Sequence, residues 1–372
     1  MNARPLLTPW ASRVAFVSAF FILSAIYSCT NPKPASRTIS PQSDSIRYMG
    51  RIKHEKDSST VYWSGSAISV RFKGRSLQAL LRDEHGKNYF NIVIDGDSLR
   101  YFSPSPEKRY YTLAENLGDG EHVVDLIKRN EWETGKTWFY GLKIHEGTLL
   151  TPPAPRKRVI EFFGNSITAG YAIEDYTGGD SPDSIFTNNY YTYAALTARH
   201  FNADYYCTVK SGIGIMVSWF PLIMPEIYDR LDPTDSSSRW DFKRAVPDIV
   251  VINLLQNDSW LVNLPTHESF KQRFGTKPPS STEIIAAYKS FVEKVRNVYP
   301  GAHIICALGS MDAMKEGSPW PTYVQQAVAE LRDEKIYTHF FPYIKKPGHP
   351  RKEDNAIMAK SLIEFIERRI KW

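Results

Sequence analysis

The strongest constraint on the fold is an alternation of short apolar runs and helical patterns over residues 159–370. This order is typical of a parallel sheet with helices on both faces. The predicted strands are 159–164, 203–209, 248–255, 303–309 and 336–341. The predicted helices are 188–201, 281–299, 321–333 and 353–370. Because crossovers between parallel strands are right-handed, an α/β fold with a five-stranded flavodoxin-like sheet is the simplest topology.

Residues 46–147 show a different pattern. Short β-prone runs alternate there with turn formers, and no window has a long helical period. This pattern predicts an all-β sandwich, most simply a jelly roll. The next segment carries Pro152, Pro153 and Pro155, which cannot continue a strand ladder, so we place the second domain at 157–372. The length of 372 residues also favours two domains over one core.

The first 28 residues are typical of a secretory signal peptide. Arg4 and Arg13 precede an apolar run, 14–27, that is too short to span a bilayer. The run leads into Ser28-Cys29 and resembles a bacterial lipobox, whose cysteine becomes the lipid-modified first residue. We therefore expect lipidation of Cys29, a flexible tether over 29–45 and a lipid-anchored protein of the bacterial cell envelope, periplasmic or on the outer-membrane surface. An ordinary signal peptide or an uncleaved anchor is the alternative.

The charge and the cysteines of the chain argue against nucleic-acid binding, a metal site and a disulfide. The formal net charge of +6 is spread along the chain, so it does not indicate nucleic-acid binding. Cys207 and Cys306 each lie in an apolar strand-like run, where a cysteine is usually a small core residue. We therefore expect no metal site and no structural disulfide. As separate expectations, the protein needs no cofactor and is a monomer.

Four predicted strand ends carry groups suited to acyl transfer. The carboxyl ends of parallel strands lie at one edge of a sheet, so residues that follow different strands meet there. These residues are Ser166, Gly212, Asn257 and His349. A serine hydroxyl needs a base to become nucleophilic, and an imidazole can act as that base. The N–H groups of Ser166 and Gly212 and the amide of Asn257 could then donate to an oxyanion.

Each of these residues also has a purely structural interpretation. Ser166 and Asn257 could cap helices, Gly212 could form only a turn, and His349 could be a surface loop residue. Catalysis is favoured because suitable groups occur at four strand ends of one predicted domain.

The motifs around these residues resemble the ordered blocks of the SGNH (GDSL-type) hydrolases. The blocks are Gly164-Asn165-Ser166, Ser211-Gly212, Gln256-Asn257-Asp258 and His349-Pro350. The all-β module in front resembles more narrowly the two-domain layout of carbohydrate esterase family 2. The resemblance implies Ser166 as nucleophile, His349 as base, and Ser166, Gly212 and Asn257 around the oxyanion. It also implies removal of O-acetyl groups from a polysaccharide or oligosaccharide by an acyl-enzyme route.

The chain departs from the SGNH pattern at two positions. Leu255 occupies a position that is usually small, and Lys346, Pro347 and Gly348 occupy the segment that usually carries an acid before the histidine. Some family 2 enzymes lack that acid and orient the histidine with a backbone carbonyl. We therefore predict a Ser166–His349 dyad, with Asp354 as the alternative orienting group.

The segment 215–244 is long for a connection between two strands and is rich in aromatic residues. Because aromatic faces suit sugar rings, we expect Trp219, Trp240 and Trp260 to bind substrate, Trp260 foremost. Alternatively, these residues cover the core of a loop excursion. Two other functions stay open: an esterase for feruloyl or other acyl groups, and a glycan-binding lipoprotein with a decayed esterase site.

Overall fold

The computed structural model describes residues 36–372. The predicted signal peptide, Cys29 and the first part of the predicted tether lie outside the described residues. Within 36–372, the helices are all too short or too polar to cross a membrane.

An antiparallel β domain comes first, and its strands form one hydrogen-bonded network. The strands are β1 Ser36–Ile39, β2 Ile46–Met49, β3 Ile52–His54, β4 Ser59–Val61, β5 Ala67–Asp83, β6 Phe90–Ile94, β7 Ser98–Phe102, β8 Arg109–Ala114, β9 Glu121–Lys128 and β10 Thr137–Leu149. The long β5 pairs with β2 and β9 through its first half, and with β8 and β10 through its second half. One strand therefore joins four others in this network.

The core of the β domain follows the two-residue period of its strands. Along β5, Leu77, Ala79 and Leu81 are buried, while the side chains between them are partly exposed. This alternation points every second side chain toward the core and the intervening side chains toward the other face of the strand. The predicted all-β sandwich is confirmed.

The predicted tether is wrong over its second part. Ser36–Ile39 forms β1 and pairs with β10, and Ile39 is buried in the core of the β domain. The proline- and serine-rich composition of this region suggested a flexible chain. Pairing along β10 overrides that preference, because it satisfies the backbone of β1.

The α/β domain contains a parallel sheet in the order β12-β11-β13-β14-β15. Its strands are β11 Arg158–Gly164, β12 Ala203–Val209, β13 Ile249–Asn253, β14 His303–Leu308 and β15 Ile336–Phe340. The α-helices are α1 Ser166–Ala169, α2 Tyr193–His200, α3 Met224–Ile227, α4 Gln256–Leu261, α5 Glu268–Phe274, α6 Ser281–Val298, α7 Trp320–Leu331 and α8 Lys352–Arg369. Short 3-10 helices span Trp132–Thr134 in the β domain and, in the α/β domain, Ser184–Phe186, Asn189–Tyr191, Phe242–Arg244 and Asp312–Met314. The flavodoxin-like prediction is confirmed.

Separate apolar cores cover the two faces of the parallel sheet. Helices α6 and α7 pack on one face, and α2 and α8 pack on the other. Cys306 belongs to the first core and Cys207 to the second. With β11 and β13 between their strands, the two cysteines are roughly 14 Å apart along the sheet, beyond the reach of a disulfide.

The β domain and the α/β domain share a buried polar contact. The Arg51 guanidinium ion-pairs with Glu161 at 2.7 Å, and both side chains are almost fully buried. Trp63 of the β domain donates its indole N–H to the Leu231 carbonyl at 2.9 Å. Breaking a buried ion pair by removing one partner typically costs 3–5 kcal/mol, so these contacts hold the two domains in a defined arrangement.

Candidate active site

Ser166 lies at the carboxyl end of the central strand β11. Asn165 caps the four-residue helix α1, accepting a hydrogen bond from the Ile167 N–H at 3.1 Å. Gly164, the last residue of β11, is aligned with Val209 on one side and Asn253 on the other. The loops that follow β12 and β13 therefore begin beside Ser166, which is the convergence that a parallel sheet produces.

The serine and the histidine meet within hydrogen-bond distance. His349 Nε2 is 2.8 Å from Ser166 Oγ, although 183 residues separate them in sequence. Ser166 is 6% exposed, and the ring of Tyr171 packs edge-on against the imidazole with centroids 5.0 Å apart. This is the geometry that a base needs to accept the proton of a nucleophilic serine.

A carboxylate, and not a backbone carbonyl, orients the imidazole. Asp180 Oδ2 accepts a hydrogen bond from His349 Nδ1 at 2.7 Å. The predicted dyad without an orienting acid is therefore wrong in that respect. The acid is also not Asp354, which caps the start of α8 by accepting from the Arg351 N–H at 2.7 Å and ion-pairs with Lys346.

Asp180 is held in place from several directions. The His349 backbone N–H donates to both carboxylate oxygens at 3.1 Å, and Arg351 Nη1 donates to Oδ1 at 2.9 Å. Gly348 permits this approach, since a Cβ at its position would lie 2.8 Å from Asp180 Oδ1. Hydrogen bonds from the His349 imidazole, and further ones from its backbone N–H and Arg351, hold the pKa of Asp180 well below its usual range, although partial burial opposes them. The carboxylate thus stays ionised at neutral pH.

Asp180 was not predicted from the sequence, because the orienting acid was expected only near the histidine. Asp180 instead comes after β11, the first strand of the parallel sheet, in the segment between α1 and α2. It is 169 residues from His349. That segment also starts at the carboxyl edge of the sheet. The available signal was an acidic residue in a long, glycine-rich loop after the nucleophile, over residues 175–183.

The predicted oxyanion donors follow three adjacent strands: Ser166 begins α1 after β11, Gly212 lies in the loop after β12, and Asn257 lies in α4 after β13. Asn257 Nδ2 donates to the Ile213 carbonyl at 2.8 Å, and its Oδ1 accepts from Trp219 Nε1 at 3.1 Å. These contacts fix the orientation of the amide and leave its second N–H available. Gly212 has a φ of +79°, a conformation that favours glycine. Within residues 36–372, the backbone N–H groups of Ser166 and Gly212 have no acceptor.

The residues on either side of Asn257 shape the start of α4. Leu255 has a φ of +74°, which explains why a glycine suits this position; left-handed geometry costs a residue with a side chain about 1–2 kcal/mol. Its side chain is fully buried, and that burial offsets the cost. The Asp258 carboxylate accepts from the N–H groups of residues 215–217. Burial raises the pKa of Asp258, while these hydrogen bonds oppose the change.

The three predicted substrate-binding tryptophans lie in different environments. Trp219 is 44% exposed and contacts Asn257. Trp260 is partly exposed, and its Nε1 donates to Asp312 Oδ2 at 3.0 Å. Trp240 is only 4% exposed and lies near Arg51 in the buried contact between the domains. The prediction that Trp240 binds substrate is therefore wrong, because its ring is buried beside Arg51.

A cavity of about 590 Å³ lies near the serine-histidine pair, because Tyr171, whose ring packs against His349, is part of its lining. Its lining includes Tyr171 and Ser211 from the α/β domain and Glu131 from the β domain. A larger cavity, of about 820 Å³, lies near Arg158 at the amino end of β11, on the other edge of the sheet. Of these two cavities, the smaller one is linked to the catalytic groups, through Tyr171 beside His349 and Ser211 next to Gly212.

Proteins similar to this chain include carbohydrate esterases. The family model "Carbohydrate esterase 2 N-terminal" matches residues 48–153. A family two carbohydrate esterase from Clostridium thermocellum, solved in complex with cellohexaose, is 32% identical, with a TM-score of 0.78 over 87% of this chain and 99% of that chain. The chain belongs to carbohydrate esterase family 2. This confirms the resemblance drawn from the SGNH blocks and the preceding β module.

Two relatives of this family 2 member have names that state an activity. The cellulase/esterase CelE of Acetivibrio thermocellus is 32% identical over 353 residues; the alignment spans 91% of this chain but only 41% of that protein. An acetylxylan esterase / glucomannan deacetylase of Cellvibrio japonicus is 23% identical over 368 residues, covering 96% of this chain and 98% of that protein.

Proposed function

We propose that this family 2 member removes ester-linked acetyl groups from a polysaccharide or oligosaccharide through a covalent acyl-enzyme. The observation that carries the proposal is the hydrogen-bonded series Asp180–His349–Ser166 at the sheet edge that also carries Gly212 and Asn257. Nucleophile, base, orienting acid and oxyanion donors are the groups that serine-dependent acyl transfer requires.

In the acylation step, His349 Nε2 accepts the proton of Ser166 as Oγ forms a bond to the acetyl carbonyl carbon. The carbonyl electron pair moves onto oxygen, and donors from Ser166, Gly212 and Asn257 stabilise that charge. Asp180 accepts from Nδ1–H, which holds Nε2 in its basic form and stabilises the imidazolium. When the intermediate collapses, the sugar oxygen leaves with the proton from His349, and the acetyl group remains on Ser166.

Deacylation repeats these roles with water. His349 takes a proton from the water as its oxygen bonds to the acetyl carbon, and the same donors stabilise the second oxyanion. Collapse breaks the bond to Ser166 Oγ, which recovers the proton from His349, and acetate leaves. Ser166 and His349 therefore return to their starting protonation states.

The names of the relatives make acetylated xylan and glucomannan the first substrates to test. Trp219 supports a glycan substrate, because its exposed ring lies against Asn257 and could stack on a sugar. Trp260, which lies in α4 with Asn257, offers a second, partly exposed ring.

Acetate release is the direct test of the proposed function. We expect the purified protein to release acetate from acetylated xylan or acetylated glucomannan faster than from acetylated pectin, and faster than it releases ferulate from feruloyl esters. Faster release of ferulate would replace the acetyl assignment with a feruloyl esterase. A folded protein that binds these oligosaccharides but releases no acid from any ester would contradict the esterase proposal.

We further propose that the protein is a lipoprotein of the bacterial cell envelope, anchored through Cys29. The support is the order Arg4, Arg13, apolar run and Ser28-Cys29. In cells fed an alkyne-tagged fatty acid, we expect label on the wild type and on Cys207→Ala, but not on Cys29→Ala, which should also leave the membrane fraction. Equal labelling of Cys29→Ala would contradict the anchor. The monomeric state stays a prediction.

A further inference from the structure

The β domain contacts the oxyanion loop through Glu131. This residue lies after β9, just before the 3-10 helix Trp132–Thr134, and is 6% exposed. Its carboxylate accepts hydrogen bonds from both the backbone N–H and the hydroxyl of Ser211. Ser211 directly precedes Gly212, so a side chain of one domain holds the peptide next to an oxyanion donor of the other.

The residue before Ser211 is held by the same segment of the β domain. Lys210 ion-pairs with Glu133, and its side chain is 3% exposed. Its ammonium also lies 4.8 Å from the centre of the Trp132 ring. Residues 131–133 therefore restrain both residues that lead into Gly212.

Glu131 is itself fixed from inside the β domain. The buried Lys128 ammonium donates to the carbonyls of Asn130 and Glu131, at 2.9 Å and 3.0 Å, and to Asn88 Oδ1 at 2.6 Å. Burial lowers the pKa of Lys128 to about 7. The backbone that carries Glu131 thus has a rigid support behind it.

Stability alone is a weak reason for this arrangement. Burial raises the pKa of Glu131, and the hydrogen bonds from Ser211 and the charge of Lys210 only oppose that change. Buried charges carry a desolvation penalty, and well-packed apolar side chains of similar volume often stabilise a protein as well or better. A positional role explains why a carboxylate occupies this site.

We propose that Glu131 is a positioning residue of the esterase reaction. It fixes Ser211 so that the Gly212 N–H keeps the direction in which it stabilises the oxyanion. Gly212 needs this support because glycine has the greatest backbone freedom, and oxyanion donors are effective only when they are preorganised. The inference rests on the proposed acyl-enzyme function and makes the β domain part of the catalytic apparatus.

The test compares Glu131→Ala and Glu131→Gln with the wild type on 4-nitrophenyl acetate and acetylated glucomannan. We expect Glu131→Ala to lower kcat by about 10- to 100-fold with KM within about threefold, because an oxyanion donor acts in the transition state and its full loss costs about 10²- to 10³-fold. Glu131→Gln should recover part of kcat, since its side-chain oxygen can still accept from the Ser211 N–H. Glu121→Gln, on the far part of β9, is the matched control and should keep wild-type kcat.

A double variant separates positioning from a general loss of structure. If Glu131 acts through the oxyanion, Glu131→Ala combined with Asn257→Ala should lose less than the product of the two single losses, because residues of one catalytic unit are not additive. Multiplicative losses, an unchanged kcat, or a rise in KM alone would overturn the inference. If Glu131→Ala does not fold, wild-type kcat in Glu131→Gln would overturn it as well. An inactive wild type would instead contradict the proposed function.

Discussion

Replacing Ser166 with alanine is expected to lower kcat on acetyl esters by about 10⁴-fold or more. The change removes the only atom that forms the covalent bond to the acetyl group in the proposed mechanism, and it leaves His349 Nε2 without the hydroxyl 2.8 Å away. KM should change little, because the oxyanion donors and the cavity remain. Steady-state kinetics with 4-nitrophenyl acetate and acetate release from acetylated glucomannan measure the effect.

The chain offers a matched control for this variant. Ser361 Oγ lies 3.3 Å from His339 Nε2, so a second serine hydroxyl contacts a histidine in the same domain. Burial lowers the pKa of His339 to about 4, which makes it a poor base at neutral pH. Ser361→Ala should keep wild-type kcat. Retention of more than a tenth of wild-type activity by Ser166→Ala would disprove the nucleophile assignment.

Replacing Asp180 with asparagine is expected to lower kcat by about 10²- to 10⁴-fold. Asparagine keeps the volume but removes the charge that stabilises the imidazolium, and its amide can present an N–H to Nδ1 and so favour the wrong tautomer. Arg351 would also lose its carboxylate partner at 2.9 Å. The variant should still bind substrate, so the loss should appear in kcat more than in KM.

Asp354→Asn is the control, because Asp354 is close to His349 in sequence but caps α8 and contacts Lys346 instead. We expect its kcat to stay within a few-fold of wild type. Asp180→Asn with kcat within about fivefold of wild type, at an unchanged unfolding temperature, would show that the carboxylate contributes little and would restore the simple dyad. A loss in Asp354→Asn equal to that in Asp180→Asn would point to disruption of the α8 start.

The variants Ser166→Ala, Asp180→Asn and those at Glu131 change different parts of one site. Ser166 and His349 come from the ends of the parallel strands, whereas Asp180 comes from the loop after the nucleophile and Glu131 from the β domain. If all three expectations hold, both domains contribute to the transition state. The domain in front would then be required for full activity even where it binds no glycan.

The fold class of each domain and the candidate residues at the strand ends could be derived from the sequence, because periodicity and strand-end chemistry are properties of neighbouring residues. The two- and 3.6-residue periods predicted the sandwich and the parallel sheet. A parallel sheet brings its carboxyl ends together, and this rule sufficed to pair Ser166 with His349. Composition was less reliable: it suggested a tether where β1 forms, because strand pairing is not a local property.

Only the tertiary structure decided which partners complete the site. Asp180 and His349 are 169 residues apart, and Glu131 and Ser211 are 80 apart, so no spacing in the sequence links them. Burial also separated Trp219, whose ring reaches solvent, from Trp240, whose ring is enclosed between the domains. The sequence thus determined the scaffold and the reacting pair, while long-range packing determined the acid, the support of the oxyanion loop and the accessible aromatic faces.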